Sequence, residues 1–317
     1  MILVTGCAGF IGSHLCESLL KDGNRVLGID NFDQYYADDI KKANLLILRR
    51  FGNFTFCHVD ITDESEVNKL FSTYHFSTVI HLAARPGVAA SLKDPLLYAK
   101  VNIVGTLVLL EQMKKLSDSV PLIFGSSSSV YGGLKKTPFS EDDSTKMQLS
   151  PYGMSKKTGE LYCRLYHDLY GIPVTILRFF TVYGSRVRPD MAMAKFIKAI
   201  KKGEEIILYN NGNIERDYTY IDDIISGIKR AMDRRLSFEI INLGGSKPVK
   251  MIKIVNLLEK YLYKKAKIKT APLPSSEMLK TWADIRKAKK MLSWEPTTSI
   301  EIGIQKLIES EKLSALT

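Results

Sequence analysis

A glycine-rich turn joins the first apolar segment of this chain to its first helical pattern. Residues 2–5 read Ile-Leu-Val-Thr, and Gly6, Gly9 and Gly12 follow in TGCAGFIG. Gly6 permits a tight turn, Gly9 lets the backbone approach a pyrophosphate, and Gly12 lets a helix pack closely on a strand. The helix N-terminus adds amide donors and positive potential. The turn therefore predicts a βαβ unit that binds a dinucleotide.

Short β-branched segments alternate with longer helical patterns through the first half of the chain. Alternation of this kind predicts an α/β fold with a doubly wound parallel sheet and right-handed crossovers. The predicted strands are residues 2–5, 25–29, 54–59, 78–82, 122–125 and 174–177, and the predicted helices are residues 10–21, 64–71, 95–115 and 152–170.

The pattern becomes less regular from about residue 181. Residues 208–221, with Asn-Asn-Gly-Asn near their centre, predict a hairpin-like excursion, and residues 238–243 predict one more buried strand in the first sheet. We expect a Rossmann domain that binds the dinucleotide and a smaller, mostly C-terminal domain that binds the substrate. The first takes residues 1–180 and about 217–243, and the second takes about 181–216 and 244–317.

Carboxylates end two of the predicted strands. Asp30 follows the second strand, where an acid accepts hydrogen bonds from both ribose hydroxyls and repels a 2′-phosphate. It therefore predicts NAD rather than NADP. Asp60 ends the third strand and is a candidate for the adenine edge, with an ordinary turn carboxylate as the alternative.

A tyrosine and a lysine lie four positions apart in the predicted helix 152–170. This spacing puts Tyr152 and Lys156 on one helix face. A free phenol has a pKa of about 10 and is a poor base, but a lysine ammonium and a positive nicotinamide ring both favour the phenolate. We therefore expect a lowered pKa for Tyr152, and expect Lys156 also to hold the nicotinamide ribose.

Four serines, residues 126–129, leave the carboxyl end of the predicted strand 122–125. Ligands of such sheets bind beyond this end, so a serine there can bind the substrate oxygen and relay its proton to Tyr152. The alternative is a polar turn that merely leaves a buried strand.

Composition and charge narrow the possible partners. The formal charge is +11, but the basic residues are dispersed and lack interleaved aromatic platforms, so we expect no nucleic-acid site. No apolar run of membrane-spanning length and no leader is apparent, which predicts a cytoplasmic protein without a membrane partner. We expect no metal, because the four cysteines have no ligand spacing and indicate reduced thiols: Cys7, Cys16, Cys57 and Cys163.

Nearly the whole chain resembles the extended short-chain dehydrogenase/reductases, and specifically the UDP-glucuronate 4-epimerases. The segments that carry the resemblance are TGCAGFIGSHL, NFDQYY, HLAA, VNIVGT, SSSSVYG, YGMSK, LRFFTVYG, RPDMAMAKF and RDYTYIDD, of which the last three are the more specific. The resemblance implies tightly bound NAD, a UDP-sugar substrate and 4-epimerisation through a 4-keto intermediate. It also implies a helix-bundle homodimer, which the apolar residues on more than one face of helices 95–115 and 152–170 favour.

The resemblance also assigns residues to the site. It implies Ser127, Tyr152 and Lys156 as the catalytic set, with Ser128 as a second substrate serine. The residues implied for NAD are Gly6, Gly9, Phe10, Ile11, Gly12, Asp30, Asn31, Asp60, Ile61, Leu82, Ala83, Ala84, Asn102, Tyr152, Lys156 and Phe179.

The substrate residues come from the later motifs. The resemblance implies Arg216 for the diphosphate, Tyr209 and Glu277 near the uridine, and Thr181 with Arg188 for the sugar carboxylate, where Arg186 is the alternative to Arg188. The full set implied for substrate is Ser127, Ser128, Thr181, Arg188, Lys195, Tyr209, Arg216 and Glu277.

The chain departs from the family pattern at two places. Ala89 stands where glucuronate epimerases usually carry an arginine, with Arg85 nearby but displaced, and Thr281 leaves room for a bulkier sugar substituent. UDP-glucose and UDP-N-acetylglucosamine thus stay open as substrates. Ser128 and Ser129 replace the carboxylates that related dehydratases and decarboxylases use, which disfavours elimination. Two functions of a different class also stay open, a net oxidoreductase of nucleotide sugars and a noncatalytic NAD-binding protein.

Overall fold

The computed structural model describes residues 1–314. Its strands are β1 (Ile2–Thr5), β2 (Val26–Asp30), β3 (Phe54–His58), β4 (Thr78–His81), β5 (Leu122–Ser127), β6 (Val174–Phe179), β7 (Val182–Tyr183), β8 (Glu205–Tyr209), β9 (Glu215–Arg216), β10 (Thr219–Tyr220), β11 (Phe238–Leu243), β12 (Val249–Lys250) and β13 (Lys267–Ala271). Its helices are α1 (Phe10–Lys21), α2 (Asp38–Leu48), α3 (Glu64–Thr73), α4 (Val88–Ser91), α5 (Pro95–Ala99), α6 (Gly105–Met113), α7 (Pro151–Tyr170), α8 (Ala192–Lys202), α9 (Ile221–Arg234), α10 (Met251–Leu262), α11 (Arg286–Leu292) and α12 (Ile300–Ser314).

Seven strands form one parallel sheet in the order β11-β6-β5-β4-β1-β2-β3. The strand order reverses between β4 and β1, which opens a crevice at the carboxyl ends of the strands where ligands bind in such sheets. The expected doubly wound α/β fold is confirmed, including the return of residues 238–243 to the sheet beside β6.

Helices cover both faces of this sheet. Ile2 and Val4 of β1 pack into one buried cluster with residues of α1 and α9. Leu3, which points the other way, packs with residues of α3, α6 and α7. Because both faces are covered, β1, β2, β4 and β5 are buried along their whole length.

Local signals account for the helix that carries Tyr152. Ser150 caps α7 by accepting a hydrogen bond from the Gly153 amide, Pro151 occupies the first turn, and Gly171 ends the helix in the left-handed region at φ 69°. Tyr152 and Lys156 therefore lie in the first two turns of a well-bounded helix, directed to the carboxyl edge of the sheet.

One helical stretch is long and apolar enough to cross a membrane by length and composition. It covers Pro95–Met113, and half of its most apolar 18-residue segment is buried inside the molecule. A π-helical segment, Lys100–Val104, interrupts it between α5 and α6. The stretch contacts α7 and α3, as expected of a core helix. The expectation of no membrane partner stays a prediction.

The expected hairpin over residues 208–221 is wrong. β8 pairs in parallel with β13, and β9 pairs in antiparallel fashion with β12, so both partners lie far along the chain. Between β8 and β9 the chain makes a 3-10 turn, Asn210–Gly212, with Asn211 in the left-handed region. The Asn-Asn-Gly-Asn segment does form a turn, but the turn redirects the chain instead of pairing its neighbours.

Candidate functional site

A cavity of about 350 Å³ opens at the carboxyl ends of the central strands. We call it the first cavity. Among the residues expected to bind NAD, its wall contains Gly6, Gly9, Phe10, Ile11, Gly12, Asp30, Asn31, Ile61, Leu82, Ala83, Ala84, Tyr152, Lys156 and Phe179. The glycine turn, the strand-end acid and the catalytic helix are thus brought to one place, as a dinucleotide requires.

The glycine turn has the shape expected for a pyrophosphate cradle. Gly6 lies at φ 70°, and a Cβ there would be 2.9 Å from the Ala83 backbone. A Cβ on Gly12 would collide with the Gly6 carbonyl oxygen. Gly9 is the N-cap of α1, and no side chain caps this helix terminus. The first amides of α1 can therefore donate to a bound phosphate.

Asp30 is buried at the end of β2. Its carboxylate accepts hydrogen bonds from the amides of Ala8 at 3.2 Å and Phe32 at 2.9 Å. Burial raises its pKa, while Lys41, whose Nζ lies 3.8 Å from Asp30 Oδ1, acts against this rise. Lys41 also lines the first cavity, although it was not among the expected site residues.

Two residues expected to bind NAD lie behind the cavity wall. Asp60 accepts hydrogen bonds from Asn31 Nδ2 at 2.9 Å and from the hydroxyl of Thr62 at 2.8 Å. Asn102 accepts from the Arg85 amide at 2.7 Å and donates to the Ser155 hydroxyl at 2.9 Å. Neither residue is among those that line the first cavity, and the expected contacts of Asp60 and Asn102 with NAD stay predictions.

Ser127, Tyr152 and Lys156 all line the first cavity. Burial raises the pKa of the Tyr152 phenol, and a hydrogen bond with Ser127 opposes this rise. Lys156 donates to the Gly125 carbonyl oxygen at 2.7 Å, and burial lowers its pKa to about 8. Among the chain's own groups, desolvation outweighs the stabilisation of the phenolate; the expected lowering of the Tyr152 pKa, which also depends on the nicotinamide charge, stays a prediction.

A second cavity, of about 840 Å³, adjoins the first. Among the residues expected to bind substrate, its wall contains Ser128, Thr181, Lys195, Tyr209, Arg216 and Glu277. Thr181, Ser128 and Ser129 also line the first cavity, so the two cavities meet beside the serine segment that follows β5. Arg216 and Glu277 form an ion pair at 2.9 Å, a contact that their separation in the sequence did not indicate.

The two arginines of the 185–190 loop point to different places. Arg186 pairs with Glu17 of α1 at 2.6 Å and contacts His14 Nε2 at 3.2 Å, away from both cavities. Arg188 lines the first cavity next to Thr181 and lies 3.3 Å from Asp190 as an ion pair. By position, Arg188 rather than Arg186 is the candidate for a sugar carboxylate.

The positions that depart from the family pattern also lie on the cavity walls. Arg85 lines the first cavity and pairs with Asp33 at 2.6 Å, whereas Ala89 and Thr281 line the second. Thr281 accepts a hydrogen bond from the Asp217 amide at 3.1 Å. Within residues 1–314, no group of three or more histidine, cysteine, aspartate or glutamate residues could hold a metal ion.

The family model for GDP-mannose 4,6 dehydratase matches residues 3–307. UDP-glucuronate 4-epimerase of Thermodesulfobacterium geofontis is 45% identical over 311 residues, which cover 98% of this chain and 95% of that protein. The structure of UDP-glucuronic acid 4-epimerase from Bacillus cereus, in complex with UDP-glucuronic acid and NAD, is 40% identical and superimposes with a TM-score of 0.93, covering 99% of both chains. UDP-glucose 4-epimerase of Thermotoga maritima, with UDP-glucose, is 32% identical with a TM-score of 0.89, again covering 99% of both chains. The chain therefore belongs to the GDP-mannose 4,6-dehydratase family of extended short-chain dehydrogenase/reductases.

Proposed function

We propose that this protein is an NAD-dependent epimerase that interconverts UDP-glucuronate and UDP-galacturonate at C4. The observation that carries the proposal is the junction of the two cavities. There, the catalytic set of Ser127, Tyr152 and Lys156 lies at the end of a dinucleotide cleft that continues into a second cavity lined by Thr181. The likeness to UDP-glucuronate 4-epimerases over almost the whole chain supports the same activity.

The residues of the chain supply proton transfer and orientation. Tyr152 takes the proton of the C4 hydroxyl, and Ser127, which is hydrogen-bonded to the phenol, holds the same substrate oxygen. When NAD is bound, hydride leaves C4 for the nicotinamide and later returns to the opposite face of the sugar. Lys156 holds the ribose and, as a cation, stabilises the phenolate against the cost of burial. Between the two hydride transfers, the 4-keto sugar turns about its diphosphate linkage and presents its opposite face. Because the hydride is returned, no net oxidation results.

The second cavity holds the nucleotide part of the substrate. Arg216 offers a guanidinium that matches phosphate oxygens in a bidentate manner, and it exchanges its partner Glu277 for the diphosphate. Tyr209 and Glu277 lie on the same wall near the uridine, and Lys195 adds positive charge. Arg188 and Thr181 grip the sugar carboxylate at the junction of the cavities.

A second candidate substrate is a neutral or N-acetylated UDP-hexose. It is favoured by Ala89 and Thr281, small residues on the wall of the second cavity that leave space beside the sugar. The likeness to a UDP-glucose 4-epimerase points in the same direction. A uronate carries one negative charge that a neutral sugar lacks. The effect of Arg188 on catalysis with each sugar therefore distinguishes the two candidate substrates.

Purified protein without added coenzyme tests the activity. We expect NAD to be released on denaturation and UDP-glucuronate to be converted to UDP-galacturonate, with UDP-glucose and UDP-N-acetylglucosamine as comparison substrates. Arg188→Ala should reduce kcat/KM for UDP-glucuronate by roughly 30-fold or more, as for truncation of one member of a desolvated ion pair. An equal loss on UDP-glucose would assign Arg188 to the diphosphate or the fold. A requirement for added NAD would instead favour a net oxidoreductase.

We further propose that the protein is a cytoplasmic homodimer built on α7. Leu161, Leu165 and Leu169 recur every four residues on α7 and are all about half exposed, and Leu96 of α5 is 81% exposed. This stripe has the spacing of a helix-bundle seam. Leu109 and Leu110 of α6, by contrast, are buried in the core of the subunit. Leu165→Glu should convert a dimer in light scattering to a monomer, and a wild-type monomer at micromolar concentration would contradict the proposal.

A further inference from the structure

A chain of polar contacts runs between the two cavities at their junction. Arg85 pairs with Asp33, and Asp33 accepts a hydrogen bond from the Tyr35 amide at 2.9 Å. The Tyr35 hydroxyl donates to Asp190 Oδ2 at 3.0 Å, and Asp190 Oδ1 lies 3.3 Å from Arg188 Nε. The loop after β2, which follows Asp30, is thereby connected to the loop that carries Arg188.

The contact between Asp190 and Arg188 uses one particular edge of the guanidinium. The closest contact is made by Nε, so the Nη1 and Nη2 groups lie farther from Asp190 and can match a second carboxylate. Among residues 1–311, Asp190 is the carboxylate that forms an ion pair with Arg188. Asp190 therefore contacts the guanidinium at its Nε edge, which leaves the Nη side as the one that a second anion can approach.

Asp190 is itself held in place. Its Oδ2 is bound by Tyr35, and its Oδ1 is buried with no hydrogen-bond partner in the described part of the chain, which leaves the Arg188 edge to compensate it. The Tyr35 ring also makes cation–π contacts with two arginines. The guanidinium groups of Arg188 and Arg85 lie 5.9 Å and 5.4 Å from its centroid. Tyr35 thus contacts both arginines with its ring and holds the Asp190 carboxylate with its hydroxyl.

Both charges of the pair act on the Tyr152 phenol. Burial raises the pKa of Tyr152, and of the charges near its phenol, Arg188 opposes this rise while Asp190 adds to it. Tyr35 lines both cavities, Arg188 the first and Asp190 the second. Because Tyr152 and Arg188 line the same cavity, a sugar bound with its C4 hydroxyl at Tyr152 shares that cavity with the Arg188 guanidinium.

We propose that Asp190, oriented by Tyr35, is the positioning residue that aims the Arg188 fork at the sugar carboxylate and so sets the preference for a uronate over a neutral hexose. This assignment rests on the proposed function, because it requires a UDP-uronate in the junction. Its specific consequence is that loss of Asp190 affects charged sugars and leaves neutral sugars almost unchanged.

Binding to the NAD-loaded protein in a Tyr152→Phe background measures this preference without turnover. Dissociation constants for UDP-glucuronate and UDP-glucose are determined by calorimetry for Asp190→Asn, Tyr35→Phe and Arg188→Ala. We expect Asp190→Asn to weaken UDP-glucuronate binding by about 10-fold, an effect between those of losing an exposed and a buried ion pair, and to change UDP-glucose binding less than about 2-fold. Tyr35→Phe should produce a smaller loss with the same selectivity.

Glu17→Gln is the matched control. It removes the ion-pair partner of Arg186, which lies in the same loop as Arg188, without touching either cavity, so the ratio of the two dissociation constants should stay at its wild-type value. Combining Asp190→Asn with Arg188→Ala should add no further loss for UDP-glucuronate, because the two residues act as one unit.

The outcomes separate the assignment from the proposed function. Equal losses on both sugars, additive losses in the double variant, or tighter UDP-glucuronate binding in Asp190→Asn would overturn the positioning role while the uronate substrate stands. Parent protein that binds UDP-glucose at least as tightly as UDP-glucuronate would overturn the proposed substrate and this assignment together.

Discussion

Lys156 donates a hydrogen bond from its ammonium group to the carbonyl oxygen of Gly125 at 2.7 Å. This contact joins the second turn of α7 to β5, two residues before Ser127. The catalytic helix and the catalytic serine are therefore held in register by the same lysine that faces the coenzyme cleft. The Lys156 side chain thus joins α7 to the backbone of β5, and its positive charge faces the cleft in which a ligand binds.

Removal of the Tyr152 hydroxyl should abolish most of the activity without loss of the fold. In Tyr152→Phe, the proton of the C4 hydroxyl has no acceptor, so turnover should decrease by at least about 100-fold, the lower range for positioned proton transfer. NAD content, measured by absorbance after denaturation, should equal that of the wild type. Wild-type rates in this variant would refute the role of Tyr152 as base.

The glycines of the first turn should separate coenzyme binding from stability. A Cβ on Gly9 would meet only the Gly6 carbonyl oxygen, at 3.2 Å, and Gly9 lies on the wall of the first cavity at φ −72°. Gly9→Ala should therefore fold and lose NAD by obstructing the pyrophosphate site. A Cβ on Gly12 would collide with the Gly6 backbone, so Gly12→Ala should lower the melting temperature. Full NAD retention in folded Gly9→Ala would contradict the role of Gly9 as the point of closest approach to the pyrophosphate.

Sequence patterns predicted the sheet and the coenzyme site because both depend on local signals. The β1–turn–α1 unit and α7 are specified by neighbouring residues, such as Gly6 at φ 70° and the Ser150 cap. The substrate side was harder because its contacts join distant segments. The pairing of β8 with β13 and the Arg216–Glu277 ion pair left no periodic signal in either partner.

Electrostatics at the site could not be predicted from spacing alone. The four-residue spacing of Tyr152 and Lys156 indicates a shared helix face, but the pKa of each also depends on burial, which only the packed chain reveals. Asp190 and Tyr35 were visible in the RPDMAMAKF and NFDQYY segments without an assigned role. Their hydrogen bond connects loops that are far apart in the chain.

A buried ion pair between β6 and α7 should contribute strongly to the unfolding free energy. Arg178 of β6 donates two hydrogen bonds of 2.8 Å to Glu160 of α7, and Ser126 donates to the same carboxylate at 2.7 Å. Both charged side chains are almost inaccessible, at 2% and 1% exposure. Arg178→Met leaves the Glu160 carboxylate only the Ser126 hydroxyl and the Lys157 ammonium, which lies 3.5 Å from Oε2, and should cost about 3 kcal/mol of unfolding free energy in urea titrations.

Two further variants test the origin of that loss. Glu160→Gln added to Arg178→Met should recover part of the stability, because no uncompensated charge remains. Arg164→Ala breaks the exposed Arg164–Asp168 pair on the outer face of the same helix, with 56% and 47% exposed side chains, and should cost less than about 1 kcal/mol. Similar losses for Arg164→Ala and Arg178→Met would show that burial of the charge is not the cause.

Asp217 should make the protein less stable as the pH rises through the mildly acidic range. It is fully buried next to Arg216, and its Oδ2 accepts hydrogen bonds from the amides of Ala283 at 2.8 Å and Ser246 at 3.1 Å. Burial nevertheless raises its pKa to about 6. Between about pH 4 and this value, the unfolded chain has lost the proton that the folded chain retains, so folding stability falls with rising pH by up to about 1.4 kcal/mol per pH unit from this group.

The change that tests this is Asp217→Asn, which cannot titrate. The variant should be less stable overall, because the side-chain NH2 group of asparagine cannot accept hydrogen bonds from the backbone amides that Asp217 binds. The informative quantity is therefore the slope of the unfolding free energy with pH, not its value at one pH. Urea unfolding at intervals from pH 4 to 8 should show, for wild type minus variant, a difference in unfolding free energy that declines toward pH 6 and is flat between about pH 7 and pH 8. Parallel curves for the two proteins over this whole range would mean that Asp217 titrates in the folded state as it does in the unfolded chain, and that its backbone amide donors fully offset its burial.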